Sequence, residues 1–463
     1  MDLFRKKEIS DSVDNEHHLA KCLTAFDLTF LGIGAIIGAG IFILTGIVAA
    51  TQAGPAIVFS YVVAGLACAF AALSYAELAA SIGGCGSAYG YAYAGFGELL
   101  AWIVGWDLLL EYSIAVSAVS VGWSSYANDL LMSLKIYIPH ALLHGPLEGG
   151  LLNILSFSII AILTALLIVG VKSSTRFNNT MVLIKLSVIF LFIVIASTEV
   201  RVENWVPFVP FGWSGVMQGA SLIFFAYVGF DAVSTAAEEA INPQRDLPIG
   251  IIGSLVVCTV LYIVVAALLT GIAHYTTLNV ASPISHSLLV LGYRTAAGLV
   301  GVGAVAGLTT VMLVLYFGLT RVFFAMARDG LLPKVFAKIN ERTKTPVRII
   351  LLCGALMASL SAMIPINDLA ELVNIGTLFA FIIVCSGVLY LRYKYPDMHR
   401  PFRTPGLPYV PVLGILSCLY LILNLPGVTM IRFAVWMVMG LVVYFLFGRT
   451  NSALAVSGEC TAE

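Results

Sequence analysis

The chain has 463 residues, of which 60% are hydrophobic and 11% are charged, with a mean hydropathy of +0.99 and a net charge of −1. Soluble domains carry about 25% charged residues. The composition therefore excludes an ordinary soluble protein and indicates a chain embedded in a membrane, in contact with membrane lipids. We predict no nucleic-acid partner.

Twelve apolar runs approach the ~20 residues that a helix needs to cross ~30 Å of hydrocarbon. They lie at 26–50, 54–80, 98–131, 151–171, 178–199, 213–238, 248–273, 297–325, 346–364, 369–391, 409–424 and 427–448. We predict an all-α integral membrane protein with twelve transmembrane helices. They form a single transmembrane domain at 26–449, between tails at 1–25 and 450–463. The first run has no charge from Leu28 to Ala50, which is too long for a signal-peptide core, so we expect it to be retained.

Positive charges predict the orientation, because Lys and Arg are biased to cytoplasmic loops. With the N-terminus inside, the outer side receives only Lys135, Arg201, Arg294 and Arg432 of the 24 Lys and Arg residues, while Lys185 falls within a span. Both termini are therefore predicted to be cytoplasmic, in a plasma membrane. The eight cysteines have no metal-ligand or disulfide spacing, so we expect no metal, no cofactor and no disulfide-linked partner.

The first span is rich in glycine, at Gly32, Gly34, Gly38, Gly40 and Gly46. Because glycine costs roughly 1 kcal/mol relative to alanine inside a helix, the helix is expected to open at Gly38-Ala39-Gly40. Open backbone at bilayer depth must line a cavity or be buried in protein. Its amides, with the start of the next half-helix, form a site for a carboxylate. The alternative is that the glycines only let neighbouring helices approach closely.

The sixth span shows a second interruption. Gly229 lies between aromatic residues in SLIFFAYVGFDAVSTAAEE, and Asp231 places a charge inside the apolar run. Interrupted first and sixth spans, five apart, are typical of two inverted repeats with a binding site between them near the membrane midplane. This second break favours the binding hypothesis for the first.

Several strings resemble one transporter family. They are GAIIGAGIF in the first span, FFAYVGFDAVSTAAEE followed by NPQRDLPIGI at the sixth, and TRVFFAMARDGLLP after the eighth. Over about residues 20–450 the chain resembles the amino acid, polyamine and organocation (APC) superfamily, and within it bacterial relatives of the cationic amino acid transporter family. The resemblance implies a 5+5 inverted repeat, about 26–199 and 213–391, with discontinuous helices 1 and 6, two extra C-terminal helices at 409–448, and alternating access.

The resemblance also implies a substrate site. Carried over by position, the substrate carboxylate would meet the backbone amides of Gly38, Ala39 and Gly40. The substrate ammonium would meet the carbonyls of Ile36, Phe225 and Val228, and Phe225 would also act as an aromatic gate. Many relatives have Ser or Thr where this chain has Ala39, so a hydroxyl contact to the carboxylate is lost here.

Lys185 stands alone in the apolar run VLIKLSVIF. A lysine inside the membrane is costly and is a functional candidate by default. In similar transporters a lysine at this place in the fifth span lies beside the first span, where sodium-coupled relatives hold their ion. We therefore expect proton coupling through Lys185, so that protons are a partner in transport. The alternative is a lysine that extends to the cytoplasmic interface.

Asp107 and Glu111 are four residues apart in the third span and therefore share one helix face. On a lipid-facing surface the two carboxylates would repel each other, so they are expected to face the bundle interior. Glu111 is a candidate for contact with the substrate pathway or for carrying a proton, and a structural hydrogen bond is the alternative. Asp107 is expected to have a structural role.

We predict a permease that takes up L-amino acids by proton-coupled alternating access. Phe225, Tyr227 and Met312 are possible apolar linings that favour neutral substrates, while Glu111 and the family resemblance keep cationic substrates open. Exchange of one amino acid for another uses the same site and stays open as well. A sensor would need a sizeable soluble extension, and an enzyme would need an assembled catalytic set. We expect neither, and we assign no catalytic residues.

Overall fold

The computed structural model describes residue 5 and residues 23–82, 87–169, 175–340, 343 and 345–455. The first predicted span is split into helix α1, Ala25–Ile36, and a helical run, α2, at 40–53. The further helices are α3 Ile57–Ile82, α4 Ser87–Gly95, α5 Glu98–Ser133, α6 Ile154–Val169, α7 Thr175–Thr198, α8 Gly212–Ile223, α9 Pro243–Ile272, α10 Pro283–Val290, α11 Arg294–Arg328, α12 Val347–Met363, α13 Ile366–Lys394, α14 Tyr409–Leu423 and α15 Gly427–Val443.

The fold is all-helical throughout the residues described, apart from one isolated bridge between Leu23 and Ala240. Among the described residues, eight helical stretches are long and apolar enough to cross a membrane. Four shorter helices, α1, α6, α12 and α14, are also apolar. Each predicted span coincides with helical backbone to within several residues, because both the prediction and the fold follow the same apolar runs.

Helix α5 lies at the centre of the bundle, where it packs against α4, α6, α11, α12 and α13. In its most apolar 18-residue window 78% of the residues are buried, against 17% for the stretch Gly427–Asn451 at the periphery. Ser113 and Ser117 donate to the carbonyls of Leu109 and Ser113 in the preceding turn, and Ser117 also donates to the Met357 carbonyl on α12 at 3.3 Å. Such internal bonding allows small polar residues to fill a tightly packed helix interface.

Ion pairing fastens one end of the bundle. The Glu77 carboxylate on α3 accepts hydrogen bonds from Arg392 at 2.7 and 3.0 Å and from the Thr404 backbone N–H at 2.8 Å. Arg400 Nε lies 3.4 Å from the same carboxylate. Glu77 is only 2% exposed. This buried charged network joins α3 to α13 and the loop after it.

The chain ends belong partly to this packed body. Helix α1 begins with a capping box between Thr24 and Asp27. At the other end, Ser452 lies within the predicted tail at 450–463 but is buried, and its hydroxyl donates to Glu98 Oε2 at 2.5 Å. Most of the tail at 1–25 and the last eight residues lie outside the described residues, so the predicted cytoplasmic position of the tails stays a prediction.

Candidate functional site

The predicted opening of the first span is present in the backbone. Helix α1 ends at Ile36, Ile37 is extended with ψ 97°, and helical backbone resumes at Gly40. Outside the helical ladders described, neither the Gly38 nor the Ala39 N–H donates to a backbone carbonyl. The break therefore presents the carbonyl end of α1 and the amide end of α2 to the same place, and these ends carry opposite partial charges.

The sixth span is interrupted at the predicted position. After α8 a short 3₁₀ turn, Phe224–Tyr227, leads to an extended Val228 and to Gly229, whose φ of +117° requires glycine. A 3₁₀ helix, Phe230–Glu239, then continues the span. Asn374 on α13 donates to the carbonyls of Ser221 and Leu222 at 2.7 and 3.0 Å, which satisfies acceptors at the end of α8.

The two breaks touch each other. A Cβ atom on Gly40 would lie 2.3 Å from Ala226 Cβ, so only glycine allows the two backbones to approach this closely. The Tyr262 hydroxyl on α9 is shared between the carbonyls of Ile36 and Ala226, at 2.9 and 2.8 Å. One side chain thus holds together the two interrupted spans.

A small closed cavity of about 10 Å³, room for about one water molecule, lies where the breaks meet. The residues around it are Ala35, Ile36, Gly38, Ala39, Gly40, Ala115, Val119, Phe225, Val228, Val311 and Leu315. Six of the seven residues predicted to bind substrate are in this set, and none of these described residues is charged. The structure therefore brings together, around one apolar space, the backbone amides predicted to bind the substrate carboxylate and the carbonyls predicted to bind its ammonium group.

Two of the predicted ammonium acceptors already have partners. The Ile36 carbonyl accepts from Tyr262, and the Phe225 carbonyl accepts from the Val228 N–H at 3.3 Å. Each carbonyl oxygen has two lone pairs, so each retains capacity for one further donor. Phe225 is 5% exposed, consistent with a side chain at the edge of a closed cavity.

Lys185 on α7 is fully buried, so the alternative of a side chain that reaches the membrane interface is wrong. Its Nζ donates to the carbonyls of Gly34 and Ile37 at 2.8 and 3.1 Å. These are acceptors at the end of α1, where the helix dipole is negative. The amine therefore holds the end of the half-helix that borders the cavity, although it does not line the cavity itself.

Glu111 is the predicted substrate residue that the structure places elsewhere. It is 1% exposed, its Oε1 has no hydrogen-bond partner among the residues described, and it lies one helical turn from the cavity residue Ala115. Asp107 and Asp231 interact with it electrostatically. Neither carboxylate oxygen of Asp107 has a hydrogen-bond partner among the residues described, which is unusual for a buried group assigned to structure.

Several residues around the cavity were not predicted from the sequence. Val311 and Leu315 on α11, and Ala115 and Val119 on α5, are pairs four residues apart that share a helix face. Tyr227, expected at the site, is instead buried with its hydroxyl donating to the Tyr61 carbonyl. Tyr262 was also missed. Nothing in its local sequence distinguishes it from other buried tyrosines, since its partners are 226 and 36 positions away.

Comparisons with known proteins agree with this architecture. The family described as amino acid permease matches residues 23–448. The chain is 51% identical to the branched-chain amino acid permease BcaP of Bacillus subtilis over 98% of this chain and 99% of that protein. It is 49% identical to the methylthioribose transporter of the same organism, again over 98% and 99% of the two chains.

A more distant relative is the vacuolar cationic amino acid transporter 4 of Arabidopsis thaliana, which is 38% identical over 85% of this chain and 68% of that protein. The predicted resemblance to the APC superfamily and to cationic amino acid transporters is thereby confirmed. Relatives of this kind are permeases and transporters, not enzymes. This chain, a multi-pass membrane protein with two interrupted helices around an apolar cavity, belongs to the amino acid permease family.

Proposed function

We propose that the protein is a secondary transporter of neutral L-amino acids with small or branched apolar side chains, and that it works by proton-coupled alternating access in the plasma membrane. One observation carries the proposal: the amide end of one half-helix and the carbonyl ends of two broken spans surround a single apolar cavity. A zwitterion needs both kinds of backbone group. Half-helix termini at a break supply them without a buried charged side chain.

The walls of the cavity support a neutral side chain on the substrate. Beyond the breaks they consist of Ala115, Val119, Val311 and Leu315, which offer only apolar contact. A cationic side chain would need a partner in this low-dielectric space. Glu111, the candidate partner, is not in the wall, so cationic substrates are the less favoured alternative.

The helix arrangement supports alternating access. In our proposal all twelve predicted spans cross the membrane, in the inverted-repeat order and with both termini cytoplasmic. The stretch before α1 and the end of the sixth span are joined by the Ile241 N–H donating to the Leu23 carbonyl at 2.9 Å. This bond lets α1 and Phe230–Glu239 move as one unit relative to α5 and α11.

Lys185 is proposed as the proton site. A charged amine holds the negative end of α1 through Gly34 and Ile37, and loss of its proton weakens that hold. Movement of α1 and transfer of a proton are then coupled at one atom, Nζ.

The decisive experiment is uptake of each of the twenty radiolabelled amino acids into proteoliposomes, with and without an inward pH gradient. We expect gradient-driven accumulation of leucine, isoleucine, valine and alanine. Uptake only into vesicles preloaded with amino acid would instead identify an exchanger. Gradient-driven uptake of arginine and lysine, without the neutral group, would contradict the proposed specificity.

The coupling residue is tested by Lys185→Ala, with Lys394→Ala as the matched control because Lys394 is exposed and donates to the Tyr390 hydroxyl. We expect Lys185→Ala to abolish accumulation driven by the pH gradient, and Lys394→Ala to keep it. Undiminished accumulation in Lys185→Ala would remove the proton role from this residue.

Methylthioribose is a second candidate substrate, favoured by the 49% identical relative that carries this name. It has neither a carboxylate nor an ammonium group and would leave the paired half-helix ends unused. Unlabelled methylthioribose should therefore fail to reduce leucine uptake. Competition at the same concentration as unlabelled leucine would favour the sugar instead.

A further inference from the structure

A second pocket lies away from the substrate cavity. Its walls come from the far end of α2, from α8, from the start of α13 and from the turn after α14. The residues around it are Gln52, Gln218, Leu222, Glu371, Asn424, Leu425 and Pro426, and the volume of the pocket is about 320 Å³. Glu371 and Arg392 lie near opposite ends of α13, so the pocket is at the end of the bundle opposite the Glu77 network.

Two hydrogen-bond acceptors of this pocket, on Gln52 and Glu371, can accept further hydrogen bonds. Gln52 Oε1 is buried and has no hydrogen-bond partner within the part of the chain that the structure describes. The Glu371 carboxylate accepts from Thr429 at 2.7 Å, and a carboxylate has room for about three further donors. A ligand that satisfies both residues must carry several N–H or O–H donors on one centre.

The charge of the Glu371 carboxylate further restricts the class of ligand that the pocket can bind. Arg432 acts electrostatically on Glu371, but it pairs with Asp368 at 3.4 Å on the exposed surface. Glu371 forms no ion pair within 4 Å with any residue described. Leu222, Leu425 and Pro426 supply an apolar wall beside the carboxylate. The pocket therefore matches an ammonium group with a short apolar chain.

We propose that this pocket, which we call the outer pocket, binds small organic ammonium compounds through Glu371 and Gln52. The outer pocket is built on α2, which begins at the substrate cavity with Gly40, and on α8, which leads into the cavity residues Phe225 and Val228. Gln52 lies twelve residues beyond Gly40, about 18 Å along the helical run. A ligand here bridges both half-helices to α13 and the turn after α14, and so restrains the parts that must move during transport.

The test is saturation-transfer NMR on the full chain in detergent, with n-butylammonium as the probe and butyrate as the matched compound without an ammonium group. We expect signal transfer to n-butylammonium and none to butyrate. Glu371→Gln should bind n-butylammonium about tenfold more weakly, because a hydrogen bond to a charged acceptor is lost. Gln52→Leu, the second variant of the same wall, should also weaken it.

Glu148→Gln is the control, since it removes an exposed carboxylate that pairs with His144 and does not line the outer pocket. It should bind n-butylammonium as the unchanged protein does. Equal binding by Glu371→Gln and the unchanged protein, or equal transfer to butyrate, overturns the proposal. Displacement of n-butylammonium by leucine would show that the natural ligand of the outer pocket is the ammonium group of an amino acid. Lack of displacement would show that it is a separate amine. Both results support the ammonium site.

Discussion

The contact between the two breaks makes a sharp prediction for Gly40. A methyl group in Gly40→Ala would lie 2.3 Å from Ala226 Cβ and 2.4 Å from Ala226 Cα. Carbon atoms pack at about 3.5 Å or more, so the two spans must separate by about 1 Å. Because one of the two opposing atoms belongs to the backbone, the side chain cannot turn away, and we expect destabilisation of about 1–3 kcal/mol.

Gly38→Ala is the matched control, two residues earlier in the same break. Its methyl group would lie 3.5 Å from both Cγ atoms of Val311, which is an ordinary contact. Both variants keep every backbone amide of the break. We therefore expect Gly40→Ala to lose leucine binding and uptake, while Gly38→Ala retains most of both and stays within about 0.5 kcal/mol of the unchanged stability.

The assay has two parts: thermal unfolding of the purified protein in detergent, and leucine uptake into proteoliposomes. We expect Gly40→Ala to unfold at a lower temperature than Gly38→Ala and to take up leucine more slowly. Equal unfolding temperatures and equal uptake would refute the close contact between the breaks. A loss that is greater for Gly38→Ala would place the critical contact on α11 instead.

Two further variants test the connections around the site. Tyr262→Phe removes the donor shared by Ile36 and Ala226 and should cost about 1–3 kcal/mol, with a higher KM for leucine; uptake at several leucine concentrations and thermal unfolding measure both effects. Glu77→Gln breaks a buried ion pair and should lower the free energy of unfolding by about 3 kcal/mol, measured by thermal unfolding.

Each of these has its own control. Tyr227→Phe loses a hydroxyl bond to the Tyr61 carbonyl outside the cavity, so it should lower stability without raising KM. A KM change as large as that of Tyr262→Phe would deny Tyr262 its bridging role. Asp368→Asn breaks an exposed ion pair and should cost no more than about 1 kcal/mol. A cost equal to that of Glu77→Gln would mean that the Glu77 network does not fasten the bundle.

Much of this protein was readable from the sequence because membranes impose simple rules. Length of apolar runs decides where helices form, since backbone groups in hydrocarbon must bond within their own segment. Glycine at 38, 40 and 229 marked the two breaks, because glycine is costly in a helix and tolerates positive φ. Family motifs then named Ile36, Phe225 and Val228, and these three do line one cavity with the first break.

Only the tertiary structure decided which side chains meet across the bundle. Tyr262 donates to carbonyls 226 and 36 positions away in the sequence. Glu371 and Gln52 line one pocket from different helices. No local sequence pattern predicts either arrangement. The position of α5 along its own axis decided that Ala115 borders the cavity while Glu111, on the same helix face, lies a turn away. An apolar helix is hydrophobic on all sides, so its sequence does not say which face packs inward, and that choice belongs to the packing of the whole bundle.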